Sequence, residues 1–95
     1  MTLDEAKTRL SSGKGSIRCN EVTSILEDLG FTIKPGRKPK HFTYNHKALT
    51  GWWGSNFACP HKSGDPVNKN YVTNILRVLR DYKAELAEYL GENDG

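Results

Sequence analysis

The chain has few cysteines, no long apolar run, and no acidic residue at all between Phe31 and Gly64. A membrane-spanning helix needs about 20 consecutive apolar residues, so we expect none. The N-terminal segment MTLDEAKTRL has mixed charge and lacks the apolar core of a signal peptide. Two cysteines, Cys19 and Cys59, are too few to staple a small secreted scaffold. We therefore expect a protein of the reducing cytoplasm.

What is present fits one small globular domain with an uneven distribution of charge. The 95 residues are 36% hydrophobic and 26% charged. The acid-free stretch holds all three histidines and six cations: Lys34, Arg37, Lys38, Lys40, Lys47 and Lys62. A basic middle of this kind indicates a surface that faces phosphate groups. The alternative is a solvated hairpin whose charges prevent strands from pairing edge to edge.

Two segments have helical periodicity. The first is EVTSILEDLG, with Asn20 as the expected N-cap and Gly30 placed to end the helix in a left-handed conformation. Its apolar stripe is Val22, Ile25, Leu26 and Leu29. The second pattern covers residues 68–90 and stops at Gly91, and we expect its turns beyond Tyr82 to overhang the domain or to contact a partner.

The two ends of the chain are expected to be less ordered than the domain at 17–91. Residues 3–10 can form a short helix, but SSGKGS follows it, so we expect residues 1–16 to be a partly flexible, loosely attached arm. Residues 92–95 are expected to form a disordered tail.

Three segments, at 31–34, 40–47 and 56–60, alternate between apolar and polar residues as strands do. In the second strand Phe42 and Tyr44 point one way, while His41, Thr43 and Asn45 point the other. Because the aromatic pair must face the core, His41 faces outward. The sequence thus predicts an α+β fold in the order α-β-β-β-α, with a three-stranded antiparallel sheet, both helices on one face, and the other face open.

A histidine among lysines on an open sheet face is suited to cleaving RNA without a metal. The reaction needs a base to take the proton of a 2′-hydroxyl, and a neutral imidazole matches that task. Near His41, Lys38 and Lys40, with Arg37 and Lys34, would hold phosphate and stabilise charge that develops on it. The alternative is an exposed histidine without function.

The other two histidines and the cysteines indicate structural roles. His46 lies in phase with Phe42 and is expected to be packed or to act as a cap, and His61 is expected to fix the turn that follows it. The CPH segment together with Cys19 matches no standard zinc spacing, so no metal and no cofactor are expected.

The adjacent tryptophans of GWWG, Trp52 and Trp53, cannot both point inward if their loop is extended. One is expected to cover the edge of the core. The other remains available to stack on a nucleotide base, which contributes roughly 1–3 kcal/mol per base. The alternative is that both rings close a small core.

Three segments in this order resemble the HicA family of bacterial toxin ribonucleases (mRNA interferases), over about residues 17–82. EVTSILEDLGFTIK is similar to the family's first helix, which ends in Leu-Gly-Phe/Trp and leads into a strand. KPKHFTYNH resembles its glycine-serine-histidine strand, and His41 falls on the family's catalytic histidine. FACPHKSGDPVNKNYVTNILRVL resembles its third strand, Pro-x-His turn and closing helix. Pro39 and Lys40 stand where the family usually has glycine and serine.

The resemblance implies a fold similar to double-stranded RNA-binding domains, metal-independent cleavage of mRNA through His41, and neutralisation by a HicB-type antitoxin. A free monomer with at most weak self-association is expected. Two other functions stay open. One is an RNA-binding module of the same fold that does not cut, and the other is a protein-interaction unit that uses the C-terminal helix.

Overall fold

The computed structural model describes residues 1–62 and 64–92. Its helices are α1 (Leu3–Ser12), α2 (Cys19–Asp28), α3 (Lys69–Asp81) and α4 (Lys83–Tyr89). Its strands are β1 (Thr32–Pro35), β2 (His41–Asn45) and β3 (Ser55–Ala58), which form one antiparallel sheet in the order β1-β2-β3. The predicted α+β class and α-β-β-β-α order are confirmed, with one further helix at each end.

The sheet has one buried face and one open face. Tyr44 of β2 and Phe57 of β3 point into the core and are almost fully buried. Helix α2 packs near β1 and helix α3 near β3. Burial raises the pKa of the Tyr44 phenol, and the side chain of Ser55, the residue paired with Tyr44 in the sheet register, lowers it in part. The phenol oxygen makes no hydrogen bond of ordinary geometry with a described residue.

Helix α2 follows its predicted apolar stripe, whose four members are all buried. Gly30 ends it at a φ of 93° as predicted, and a Schellman motif closes the end: Phe31 N–H donates to Leu26 O at 3.0 Å and Gly30 N–H to Glu27 O at 3.0 Å. The start differs from the prediction. Arg18, rather than Asn20, is the N-cap, because Arg18 is held extended in a bridge to Pro66.

The N-terminal arm was expected to be loosely attached, and the structure corrects this. Leu3, Ala6 and Leu10 of α1 are buried, and the helix packs against α3 and α4. A capping box between Thr2 and Glu5 stabilises its first turn. The spacing i, i+3, i+7 places the three apolar residues on one stripe, and that stripe outweighs the flexibility of the glycine-rich segment after it.

Glu92, the last described residue, lies close to the start of the chain. Within the expected tail at 92–95, only Glu92 belongs to the described residues, and its carboxylate accepts hydrogen bonds from Leu3 N–H at 3.0 and 3.2 Å. Glu92 is therefore tied to the start of α1. The prediction of disorder for residues 93–95 concerns residues that the structure does not describe.

The long C-terminal helix predicted at 68–90 is divided into two. Tyr82, at φ −113° and ψ 27°, separates α3 from α4. The bend returns α4 to the domain, where Leu86 is fully buried and α4 contacts α1. The turns beyond Tyr82 therefore do not overhang the domain, and Gly91, at φ 73°, follows their end.

Cys19 and Cys59 form a disulfide, with their Cα atoms 5.5 Å apart. The bond joins the first residue of α2 to the residue after β3. Spacing in the sequence offered no reason to pair them, and their pairing differs from the reduced state expected of a cytoplasmic protein.

In the described part of the chain, no helix has the length and apolar character needed to cross a bilayer.

Replacing Gly30 with alanine should destabilise the domain more than the same change at Gly51. Both glycines have positive φ, 93° and 84°, so both variants carry a backbone penalty of about 1–2 kcal/mol. At Gly30 a Cβ would also meet Tyr89 Cε2 and lie 2.9 Å from His46 Nε2, whereas nothing lies within 4 Å at Gly51. We expect Gly30→Ala to lose about 1–3 kcal/mol beyond Gly51→Ala in urea unfolding. Equal losses in the free energy of unfolding would show that the space between Gly30 and the rings of Tyr89 and His46 is not tight.

Reduction of the disulfide should lower the free energy of unfolding. The two cysteines are 40 residues apart, and a closed loop of that size restricts the unfolded chain by roughly 4 kcal/mol in the chain-entropy description. We expect unfolding at lower urea when dithiothreitol is present, while a Cys19→Ser/Cys59→Ser variant shows no response to the reductant. Two titratable thiols in the native, unreduced protein would contradict the bond.

Candidate nucleic-acid interface

The open face of the sheet is polar and carries no acidic side chain. Lys34, Thr43 and Asn56 stand side by side across the three strands in the sheet register. Asn45 and Thr32 form the next row. All five are exposed. The outer face, meaning these five residues together with His41, is therefore a hydrogen-bonding surface that a phosphate backbone can approach.

His41 lies on the outer face, as the alternation predicts. It is the first residue of β2, stands opposite Ala58, and is half-buried. Its main chain is held on both sides, since its N–H donates to Lys38 O at 3.1 Å and its carbonyl accepts from Gly36 N–H at 2.7 Å. No described residue hydrogen-bonds the imidazole. The main chain of His41 is therefore held in place, while its ring nitrogens are not engaged by any described residue.

The turn before His41 has an unusual backbone. Lys40 has a φ of 67° and is the one non-glycine residue with positive φ in residues 1–62 and 64–92. Pro39 precedes it, and the hydrogen bond from His41 N–H to Lys38 O closes a turn with the features of type II, where that position favours glycine. The Lys40 carbonyl accepts from Cys59 N–H at 2.8 Å, which holds the turn against the exit of β3.

The predicted phosphate-binding cations divide between two places. Lys34 is on the outer face, and Arg37 and Lys38 are exposed in the turn between β1 and β2. Lys40 instead lines a cleft that His41 does not line. The structure forms ion pairs between Arg9 and Glu21 and between Arg80 and Asp81, so no described acidic group neutralises the four predicted cations.

His46 is the structural histidine of the domain. It is 4% exposed, its Nδ1 accepts from Ala48 N–H at 3.1 Å, and its Nε2 lies 2.9 Å from Leu29 O. Since Nδ1 accepts, Nε2 carries the proton and donates to that carbonyl. The ring also packs edge-on against Phe31 and Tyr89. The prediction of a packed or capping histidine is confirmed.

His61 differs from its prediction. It is exposed, and among the described residues no hydrogen bond to its ring supports a role in fixing the turn.

The two tryptophans are separated as predicted. Trp52 packs on the core, with its ring centroid 5.7 Å from that of Tyr44 and 6.0 Å from that of Phe31. Trp53 is 97% exposed. Of the two rings named as base platforms, Trp53 is therefore the accessible one. It lies beyond the end of β2 opposite to His41, and β2 itself spans about 13 Å between His41 and Asn45.

Two groups near the predicted site, Asn56 and Arg18, were not predicted from the sequence. Asn56 has the phase of an outward residue in β3, so the alternation was sufficient to find it. Arg18 gave no signal, because only the bridge to Pro66 and the bond between Cys19 and Cys59 bring it near Lys40. Within the described ranges, no three His, Cys, Asp or Glu side chains come together as a metal site.

Comparison of the chain with protein-family models, with curated proteins and with solved structures finds no significant match. The resemblance to HicA-family toxins therefore rests on the motif residues and stays a prediction.

Replacing Lys40 with glycine should stabilise the domain. Glycine adopts positive φ without the Cβ clash, which is worth about 1–2 kcal/mol, and greater freedom in the unfolded chain cancels up to about 1 kcal/mol of it. We expect a net gain of about 0.5–1 kcal/mol in urea unfolding. Lys38→Gly is the matched control, because it removes a lysine of the same turn from a residue without positive φ. If Lys40→Gly is no more stable than Lys38→Gly, position 40 is not strained.

Proposed function

We propose that this chain is a toxin-type endoribonuclease of the HicA family, which cleaves mRNA without a metal and uses His41 as its base. The observation that carries the proposal is the contrast between two histidines. His46 is buried with both ring nitrogens engaged, whereas the His41 ring lies on the polar outer face and has no hydrogen-bond partner among the described residues. A conformationally fixed, chemically free imidazole beside cations is what this reaction requires.

The chemistry needs only a base and charge stabilisation. His41 takes the proton of a 2′-hydroxyl, and the 2′-oxygen attacks the adjacent phosphorus. The bond from phosphorus to the 5′-oxygen breaks, and that oxygen takes a proton from solvent. The products are a 2′,3′-cyclic phosphate and a 5′-hydroxyl. Cations around the phosphate stabilise the extra negative charge of the transition state.

Arg37 and Lys38 are the phosphate contacts at His41 in this proposal, Lys34 extends the contact along the outer face, and Lys40 contacts phosphate from the cleft side. Their freedom from ion pairs with described residues supports this role, since no competing carboxylate must be displaced. Trp53 offers a base platform at the far end of the sheet, and Trp52 supports it from the core side.

An antitoxin of HicB type is the proposed partner. The outer face has no acidic group, so an inhibitor with acidic side chains complements it and covers His41 at the same time. We place the protein in the cytoplasm, where mRNA is translated, as a monomer when free; the Cys19–Cys59 disulfide is an exception to the reduced state usual in that compartment. No metal, cofactor or membrane enters the proposed activity.

Cleavage of a long RNA in the presence of EDTA tests the proposal. We expect the wild-type protein to cut, and His41→Gln to lose about 10²–10⁴-fold in rate, because a general base contributes that much. His61→Gln is the matched control, since it changes an exposed histidine outside the sheet. New 5′ ends should accept phosphate from a polynucleotide kinase without prior phosphatase treatment.

The other outcomes identify other functions. Equal cutting by the wild type and His41→Gln would show that His41 is not the base. Intact RNA with both proteins, together with binding that weakens steeply as salt rises, would indicate the RNA-binding module, which the replacement of glycine and serine by Pro39 and Lys40 favours. Growth arrest on expression, relieved by His41→Gln, would support the toxin.

The protein-interaction alternative has less support from the fold. It relied on apolar turns beyond Tyr82, but Leu86 is fully buried within this domain. Only Tyr89, at 40% exposure, remains as a large exposed apolar group of α4.

A further inference from the structure

A cleft lies next to the end of the sheet at which β2 begins, on the side opposite to His41. It is an open cleft of about 490 Å³, which is within the range of small-molecule sites in proteins. Helix α2 forms one wall with its first turn and Arg18. The turn at Lys40 and the exit of β3 form the second wall, and residues 62 and 64–65 form the third.

The rim of the cleft is cationic. Arg18, Lys40 and Lys62 contribute one positive charge from each wall, and all three are exposed. Asp65 is the one acidic residue among the described lining residues. No described residue forms an ion pair with any of the three cations. The balance of charge therefore favours an anion.

The floor of the cleft is apolar. Phe42, which is half-buried and stacks against Phe57 at a centroid distance of 5.6 Å, lines it. Pro60 and the bond between Cys19 and Cys59 complete the floor. An apolar floor with an aromatic ring beneath a cationic rim matches a ligand that joins a flat base to a phosphate.

The walls are held together before any ligand arrives. Val67 N–H donates to Ile17 O at 2.8 Å, which ties the third wall to the first. Cys59 N–H donates to Lys40 O at 2.8 Å within the second wall, and the disulfide joins that wall to α2. A site whose backbone is already fixed loses less conformational entropy on binding.

We propose that this cleft binds one nucleotide of the RNA chain, with its phosphate at Arg18, Lys40 and Lys62 and its base on Phe42. The inference rests on the proposed function. Lys40 and His41 are consecutive, so their Cα atoms are about 3.8 Å apart, yet one lines the cleft and the other lies on the outer face. A strand whose scissile phosphate lies at His41 thus bends around the end of the sheet and places a neighbouring nucleotide in the cleft.

Binding of AMP and UMP to the oxidised protein tests the cleft without any cleavage step. Chemical-shift titration should show saturable changes at residues of the three walls. Arg18→Gln and Lys62→Gln should each weaken binding about three- to tenfold, the effect of losing one partly exposed charge contact. Arg77→Gln and Lys83→Gln, which remove exposed cations from α3 and α4, should leave it unchanged. Absence of binding, or equal losses in all four variants, would overturn the proposal.

Inorganic phosphate and ribose 5-phosphate separate a nucleotide site from a simple anion site. If the base stacks on Phe42, AMP should bind at least about fivefold more tightly than ribose 5-phosphate, as a stacking energy near 1 kcal/mol requires. Equal affinity of the three probes would reduce the cleft to an anion site and overturn the assignment of a nucleotide.

Two further measurements separate this inference from the proposed function. His41→Gln should bind AMP as the wild type does. AMP binding therefore tests the cleft even if the protein proves not to cleave RNA through His41. Arg18→Gln should raise the KM for RNA cleavage and alter which nucleotide flanks the cut. Normal KM and unchanged cleavage positions in that variant would overturn the role of the cleft in RNA binding.

Discussion

Burial of the aromatic side of β2 is the packing interaction that places His41 and the outer face of the sheet. Tyr44 is nearly inaccessible and contacts the rings of Phe31, Trp52 and Phe57 at centroid distances of 5.8, 5.7 and 6.0 Å. Because side chains alternate along a strand, this burial commits the residues between to the opposite face. A slip of one residue would exchange the two sets, which is why a strand with one hydrophobic face has a well-specified register.

The junction between Lys40 and His41 connects the two surfaces. The outer face begins at His41, and the cleft begins one residue earlier, on the other side of the sheet's end. The left-handed backbone conformation of Lys40 makes this change of direction possible. The hydrogen bonds from His41 N–H to Lys38 O and from Cys59 N–H to Lys40 O hold the turn in place. Strained backbone of this kind persists only where its surroundings hold it, and it is often found beside functional groups.

Local patterns were sufficient for several elements. The stripe of α2, the left-handed glycine after it, the outward His41 and the inward His46 all follow from spacing over a few residues, and the structure agrees with each. Elements that depend on distant partners were predicted less well. The local pattern of helix α1 predicts a loose arm, because the docking surface on α3 is some sixty residues away in the chain. The break at Tyr82 has no proline or glycine to signal it, and it depends on where Leu86 finds a place in the core.

Taken alone, the sequence determined which side of each strand and helix is buried, because the periods of the two structures are local and hydrophobic burial selects one side. It thereby determined that His41 is presented on the open, polar face of the sheet. The tertiary structure alone decided which distant segments meet. It paired Cys19 with Cys59, brought Arg18 and Lys62 to Lys40, and divided the cations between a face and a cleft. Contacts across 40 residues leave no periodic trace, since they arise from the packing of whole elements rather than from the spacing within one.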